Sequence, residues 1–313
     1  MNFESFKRKY QKVEVNHYPN RVTQFPKVSV LVQTFNHEFF IRDCLESILM
    51  QETDFEFEIL LGEDQSSDNT REICIEYAEK YPEKIRLFLH EPGNKIKVLG
   101  TTTGNFNAFY NLFSAKGEYI AFCEGDDIWK DPSKLQKQVE YLIENPQYVF
   151  TYHNYIADFK EEGVKKNNDL QPSYDISQKD LILNNKHPLL LTICFRNLFS
   201  DLPLEIFEVI NVDLFLLSLL GNNGKGAYQP ELQMAVSRKH PGGIWKSKKR
   251  YIQLEIKIHT LKKLEEFYKG KNKEAEECFR SKRKNLAKSL IIKNFRSCHF
   301  SSLIRKAVLY YFY

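Results

Sequence analysis

The sequence predicts an α/β fold: an open, mostly parallel sheet flanked by helices, followed by a basic, mainly helical C-terminal extension. Three observations carry this expectation. Short runs rich in Val, Ile and Leu alternate with segments whose apolar residues recur at helical spacing, as in strand–helix units joined by right-handed crossovers. Polar and acidic residues cluster directly after three of those runs, where an open α/β sheet gathers its ligand groups. The charge is also divided along the chain. Residues 246–313 hold 19 Lys/Arg against 6 Asp/Glu, a charge of +13, so residues 1–245 carry −9 of the formal total of +4. An acidic body with a basic tail suggests that the tail meets an anionic surface.

Residues 1–25 are polar and read as a loose arm or an added helix. KVSVLVQTF (27–35), rich in Val and followed by turn-prone Asn36, fits a buried parallel strand. HEFFIRDCLESILMQ (37–51) then spaces Phe40, Ile41, Cys44, Leu45, Ile48 and Leu49 for a helix. FEFEILLGED (55–64) is a second strand, and Ser67 or Asp68 is placed to cap the helix REICIEYAEKYP (71–82). KIRLFLH (84–90) is a third strand. NFNAFYNLFSAKG (105–117) reads as a helix closed by Gly117, and EYIAFCEGDD as the fourth strand. The second half is less regular. A helix is expected over 132–146, a strand over 148–159, a polar loop over 161–175, a short helix at ISQKDLILNN and a strand at LLLTICFRN. An apolar helix over 212–224 is entered near Asp213, Met234–Arg238 is a strand, and helix-prone basic residues follow 246.

The 313 residues are 42% hydrophobic and 27% charged, the balance of a soluble globular chain with ample core. Six scattered cysteines include no CxxC pair, so they read as reduced core residues rather than a zinc site or a disulfide framework. The first residues lack an apolar signal core, and no apolar run approaches the 18 or so residues that span a bilayer. The expected location is therefore the cytoplasm. With an acidic body and no nucleic-acid motif, nucleic acid is not an expected partner.

The candidate site residues sit at the predicted strand ends. In CEGDDIW, Glu124, Asp126 and Asp127 crowd three carboxylates into one turn. Hard divalent cations want carboxylate oxygen, and a strand-to-turn edge can aim two such groups at one point; a solvated turn with a capping Asp is the plainer alternative. Asp64, in EDQSSDNT, could accept hydrogen bonds from a nucleobase or ribose, or merely cap the next helix. Asn105, opening a helix, could meet a phosphate or act as a cap.

TFNH, EDQSSDNT and FCEGDDIW, in that order, resemble glycosyltransferase family 2, the inverting GT-A-fold family that uses nucleotide sugars. GEYIAFCEGDDIWKDPSKLQ and VDLFLLSLLGNNGKGAYQPELQMAVSRKHPGGIW are similar to bacterial members that build surface polysaccharides. The resemblance runs from about Val28 to Trp245. It implies that Gln33 and Phe35 hold base and ribose, that Asp64 reads uracil, and that Asp126 binds Mn²⁺ or Mg²⁺. Glu124 stands where most members have Asp, and Asp127 faces the donor sugar or the ligands of the metal. Asp213 matches the catalytic base, although Val212 replaces the Glu or Gly usual before it. His240 completes the metal site or contacts the diphosphate, and Arg238 balances phosphate charge. Thr192 and Arg196 border the acceptor pocket.

The implied organisation is an arm (1–25), a catalytic domain (26–245, with a nucleotide-sugar half to 129 and an acceptor half from 130) and the extension (246–313). The implied partners are a nucleotide-sugar donor and a saccharide or lipid-linked acceptor. For the extension two readings stay open: solvated helices packed on the body, or a segment held against anionic lipid at the inner membrane face. A nucleotidyltransferase and a non-catalytic binding protein on the same fold are the alternative functions.

Overall fold

The computed structural model describes residues 1–159, 164–167, 171–240 and 248–296. Four parallel strands form the centre: β2 (Val28–Thr34), β3 (Phe57–Glu63), β4 (Ile85–Leu89) and β7 (Tyr119–Phe122), with helices α2 (Ile41–Leu49), α3 (Thr70–Lys80) and α4 (Asn105–Ser114) between them and a small hairpin, β5 (Lys97–Val98) and β6 (Thr101–Thr102), before α4. The main sheet also takes in β1 (Asn16–His17), β8 (Tyr148–Tyr152), β11 (Cys194–Arg196) and β12 (Lys225–Tyr228), in the order β1-β4-β3-β2-β7-β11-β8-β12. Two of its eight strands run against the rest: β1 pairs antiparallel with β4, and β11 with both β7 and β8. A smaller sheet joins β10 (Val164–Asn167), β9 (Tyr155–Phe159) and β13 (Ala235–Arg238).

Period-2 alternation sorts the side chains of β2 to the two faces. Val28, Val30 and Val32 pack with Ile41, Cys44, Leu45 and Ile48 of α2, with Ile73 and Tyr77 of α3, and with Leu135 and Val139 of α5 (Lys134–Glu144). Leu31 faces the opposite core with Phe106 and Phe109 of α4 and Phe215 of α7 (Val212–Gly221); α6 (Gln178–Ile182) adds Leu181 to that core. This second core also holds Phe6 from α1 (Phe3–Tyr10), Leu261, Leu264 and Tyr268 from α8 (Arg250–Tyr268), and Phe279 from α9 (Lys273–Arg296). The N-terminal segment is thus the added helix of the two alternatives. The described part of the extension packs on the body as well. Tyr268 Oη donates to the Ser218 carbonyl (3.0 Å), and Lys282 Nζ donates to the Leu183 carbonyl (2.6 Å). Arg280 and Arg283 both pair with Glu265 at 2.8 Å. LIRKAVLYYFY and residues 241–247 lie outside the described residues.

Several boundaries depart from expectation for local reasons. α2 begins at Ile41 because Asn36–Phe40 form a separate turn, with Asn36 at φ 53°. Asn69 precedes α3 as its cap, while the Asp68 carboxylate takes the Thr70 N–H (3.0 Å). α4 ends at Ser114. Gly117 serves instead as a point of close approach, since a Cβ there would fall 2.5 Å from Ser29 N on β2. The strand expected over 148–159 is two strands in different sheets, broken at His153–Asn154; alternation continues across the break, so periodicity alone cannot reveal it.

Candidate active site

Strand pairing brings the acidic strand ends together. Thr34 lies opposite Glu63, and Leu31 opposite Phe122, so the segments after β2, β3 and β7 leave the sheet side by side. A fourth segment arrives from the small sheet: Ile128 and Val236 exchange backbone hydrogen bonds of 3.0 and 2.8 Å, which sets Arg238–His240 beside Glu124–Asp127. Asp213, in the first turn of α7, is close enough for its charge to act on Glu124.

The turn after β2 is clasped to the one after β3. Asn36 Oδ1 accepts from Ser67 N (2.8 Å), His37 N donates to Thr70 Oγ1 (2.7 Å), and Glu38 N donates to Asp68 Oδ2 (3.2 Å). The Glu38 carboxylate returns a bond to Asn69 N (3.2 Å). The imidazole of His37 is thereby held over Gly125, the residue between Glu124 and Asp126. A Cβ on Gly125 would lie 2.7 Å from Thr34 Oγ1 and 2.9 Å from His37 Nδ1, so only glycine lets the two turns close this far.

His240 Nε2 lies 3.1 Å from Asp126 Oδ2. One ligand-capable atom from each of His37, Asp126 and His240 falls within 4.8 Å of the others. His37 Nδ1 is buried without a hydrogen-bond partner among the described residues. Two imidazoles and a carboxylate gathered in this way, with one buried nitrogen unsatisfied, fit a divalent cation.

The charge around this point is poorly balanced. Glu124 reaches solvent at the surface, while the protein packed around it strips water from part of its carboxylate. That desolvation, with the charges of Asp126 and Asp213 added, raises its carboxyl to about 7 against the pull of Lys239. Burial, reinforced by Asp126 and Glu124, pushes Asp127 well above the carboxylate range. Asp126 is held down despite its own desolvation by the His240 hydrogen bond and the charge of His37. Asp64 is 6% exposed, and burial lifts it to about 6 against the opposing Lys95, whose Nζ lies 3.4 Å from Oδ2. The same ammonium stands 4.2 Å from the ring centre of Phe35, which is 45% exposed.

Residues 29–207 match the family described as glycosyl transferase family 2. This chain belongs to that family. An uncharacterised protein of Mycobacterium tuberculosis is 34% identical over 224 residues, covering 70% of this chain; the aligned part spans 61% of that protein's length. The Escherichia coli enzyme WfgD, a UDP-Glc:α-D-GlcNAc-diphosphoundecaprenol β-1,3-glucosyltransferase, is 31% identical over 200 residues, 63% of this chain and 71% of its own. Among solved structures, TarS 1-349 of S. aureus in complex with UDP-GlcNAc superposes with a TM-score of 0.54 at 16% identity over 84% of this chain and 81% of that one. The mannosyltransferase PcManGT of Pyrobaculum calidifontis, solved with GDP-Man and Mn²⁺, reaches 0.55 at 16% identity over 98% and 85%. These two share the fold.

For a family 2 member, the crevice gathers Asp64, Glu124, Asp126 and His240 as expected, with Phe35 and Gln33 at its edge. Gln33 Nε2 is buried and unpartnered among the described residues. Other expected residues are engaged elsewhere. Arg238 is 3% exposed, and its guanidinium is spent on protein: Nε to the Asp126 carbonyl, Nη1 to Asp43 Oδ2 (2.9 Å) and Nη2 to the Phe40 carbonyl (2.8 Å). It fastens the Asp126 turn to the start of α2 and has no fork left for phosphate. Asp127 turns inward and accepts Arg238 N (3.1 Å), so it lies behind the crevice wall rather than toward a sugar. Asn105 Nδ2 is committed to the Val209 carbonyl (2.8 Å), so it neither caps α4 nor faces a phosphate. Thr192 is fully buried, and Arg196 is engaged by the carbonyls of Tyr148 and Leu142. Three residues escaped the sequence reading: His37, Lys95 and Lys239. The signal for His37 was its place directly after the Asn36 turn; Lys95 is a cation in the loop after β4.

Proposed function

We propose that the protein transfers a sugar from a nucleoside diphosphate donor, best fitted to a UDP-sugar, to a hydroxyl of a saccharide or lipid-linked saccharide acceptor. The carrying observation is that Asp126, paired with His240, stands at the end of β7 beside the strand ends that carry Gln33 and Asp64, with Asp213 near enough for its charge to act on Glu124. Phe35 offers a face for the base, the Asp64 carboxylate an acceptor for an imide N–H, and Lys95 a donor for a ring carbonyl. Gln33 and Glu124 are the groups assigned to the ribose. Asp126 and His240 are the groups assigned to a divalent cation; Mn²⁺ or Mg²⁺ bound there stabilises the charge that develops on the departing diphosphate.

Asp213 is assigned as the base. The acceptor oxygen forms a bond to the anomeric carbon as that carbon's bond to the phosphate oxygen breaks. The electron pair leaves with the nucleoside diphosphate, the hydroxyl proton goes to the Asp213 carboxylate, and configuration inverts. In this reading residues 26–129 bind the donor and 130–245 the acceptor. The name of the Escherichia coli relative, with its diphosphoundecaprenol-linked substrate, supports a lipid-linked acceptor in capsule or O-antigen-type polysaccharide synthesis. With such an acceptor, the reaction is assigned to the cytoplasm at the inner membrane face.

Guanine could also donate to Asp64, and one fold neighbour was solved with GDP-Man, so GDP is the second reading for the base. Calorimetric titration with UDP and GDP, each with and without Mn²⁺, decides between them. Asp213→Asn should keep nucleotide binding within twofold and lose transfer by about 10²-fold or more. Full transfer by this variant would remove Asp213 as the base.

A further inference from the structure

The third member of the Asp126–His240 cluster is the residue with no assigned role. We infer that His37 is a protein ligand of the same divalent cation, so that the site is a two-histidine, one-carboxylate set able to take up metal before any nucleotide arrives. This rests on the reading of the crevice as a metal-dependent donor site.

Four observations converge. Asp126 Oδ2 and His240 Nε2 lie 3.1 Å apart, close enough for one cation to replace the proton between them. A His37 ring nitrogen joins them within 4.8 Å. His37 Nδ1 is buried, with no hydrogen bond among the described residues to use it. The His37 backbone is fixed from outside, through its N–H to Thr70 Oγ1 and the neighbouring Asn36–Ser67 and Glu38–Asp68 contacts, so only its side chain has to adjust to serve. Gly125 supplies the clearance that keeps the three side chains together.

The chemistry of the set has a consequence. A cation held by one carboxylate depends on diphosphate oxygens for its affinity, whereas three protein ligands suffice to retain it alone. Two imidazole nitrogens also favour Co²⁺, and to a smaller degree Mn²⁺, over Mg²⁺, which prefers oxygen. A cation so held would still have room for oxygens of the donor's diphosphate.

The test uses the full chain without nucleotide. Mn²⁺ is titrated while its free signal is followed by electron paramagnetic resonance, and Mg²⁺ is then added as competitor. The wild type should bind one Mn²⁺ in preference to Mg²⁺ by tenfold or more. His37→Ala, checked for its fold by circular dichroism, should weaken Mn²⁺ by about tenfold or more and shrink the preference over Mg²⁺. Electron spin-echo spectra of the wild-type Mn²⁺ complex supply a reading independent of any variant: couplings from two histidine nitrogens are expected. A single nitrogen, or His37→Ala binding Mn²⁺ within twofold of wild type, overturns the assignment. UDP titrated in EDTA reports on the Phe35–Asp64 end alone. Failure there counts against the donor reading, while the metal titration stands by itself.

Discussion

Two groups of acids on the same central strands differ in what surrounds them. Glu58, near the start of β3, is fully buried, and both oxygens are answered by protein. Arg86 Nη1 donates to Oε2 (2.9 Å), while Ser29 Oγ (2.6 Å) and Lys116 N (3.0 Å) donate to Oε1. Glu63, at the far end of β3, is likewise held by Arg71 Nε (2.5 Å) and Ser66 N (2.6 Å). One residue further on, Asp64 has a single lysine and a carboxyl raised by burial, and Glu124 is raised by desolvation and then by its acidic neighbours. Burial alone therefore does not distinguish a structural acid from a site acid. The distinction is whether fixed protein donors complete its lone pairs or leave them for a ligand.

The most severe way to break this comparison is to remove the partner of a completed acid. Arg86→Met strands Glu58 in the core and should cost about 3–5 kcal/mol in urea unfolding; a loss under 1 kcal/mol would mean that Glu58 is not held as described. Gly125→Ala should cost about 1–3 kcal/mol through overpacking against Thr34 and His37. Its transfer activity should fall more than tenfold, because the Asp126 turn is displaced; unchanged activity would show that the close approach is not needed.

The third prediction concerns pH. Asp64 and Glu124 have folded-state values of about 6 and about 7, above their ordinary 3.8 and 4.5. Between roughly pH 4 and 7 the folded protein therefore holds protons that the unfolded chain has released, and their contribution to stability falls as pH rises. Relative to an Asp64→Asn/Glu124→Gln double variant, the metal-free wild type should lose a few degrees of melting temperature between pH 5 and 8. Mn²⁺ should restore part of that loss at pH 8, since a nearby cation reverses the repulsion. A parallel course for the two proteins would contradict the raised values. The smallest effect belongs to the other region of the chain: Tyr268→Phe removes the hydroxyl that joins α8 to Ser218 of α7 and should cost about 1 kcal/mol in the same unfolding assay.

What could be read from the sequence was local. The Val-rich run of β2, the acid-ended runs of β3 and β7 and the helical spacing of α2 and α5 are written in neighbouring residues, and their order along the chain indicated an open sheet with its site at the strand ends. Asp126 and His240 were legible for the same reason, each within a short motif. The assignments that changed depend on residues brought from far along the chain. Arg238 was expected to balance phosphate charge on the resemblance alone; only the fold shows its guanidinium engaged by Asp43, Asp126 and Phe40. Asn105 looked like a helix-end donor until Val209 claimed its amide. The place of His37 after the Asn36 turn was legible, but its use as a ligand was not, because that depends on Gly125 and Asp126 crossing beneath it and on His240 arriving from a separate sheet. The sequence determined which residue types stand at each strand end. The tertiary structure decided which of them are already satisfied, since hydrogen-bond completion depends on distance in space and not on spacing in the chain.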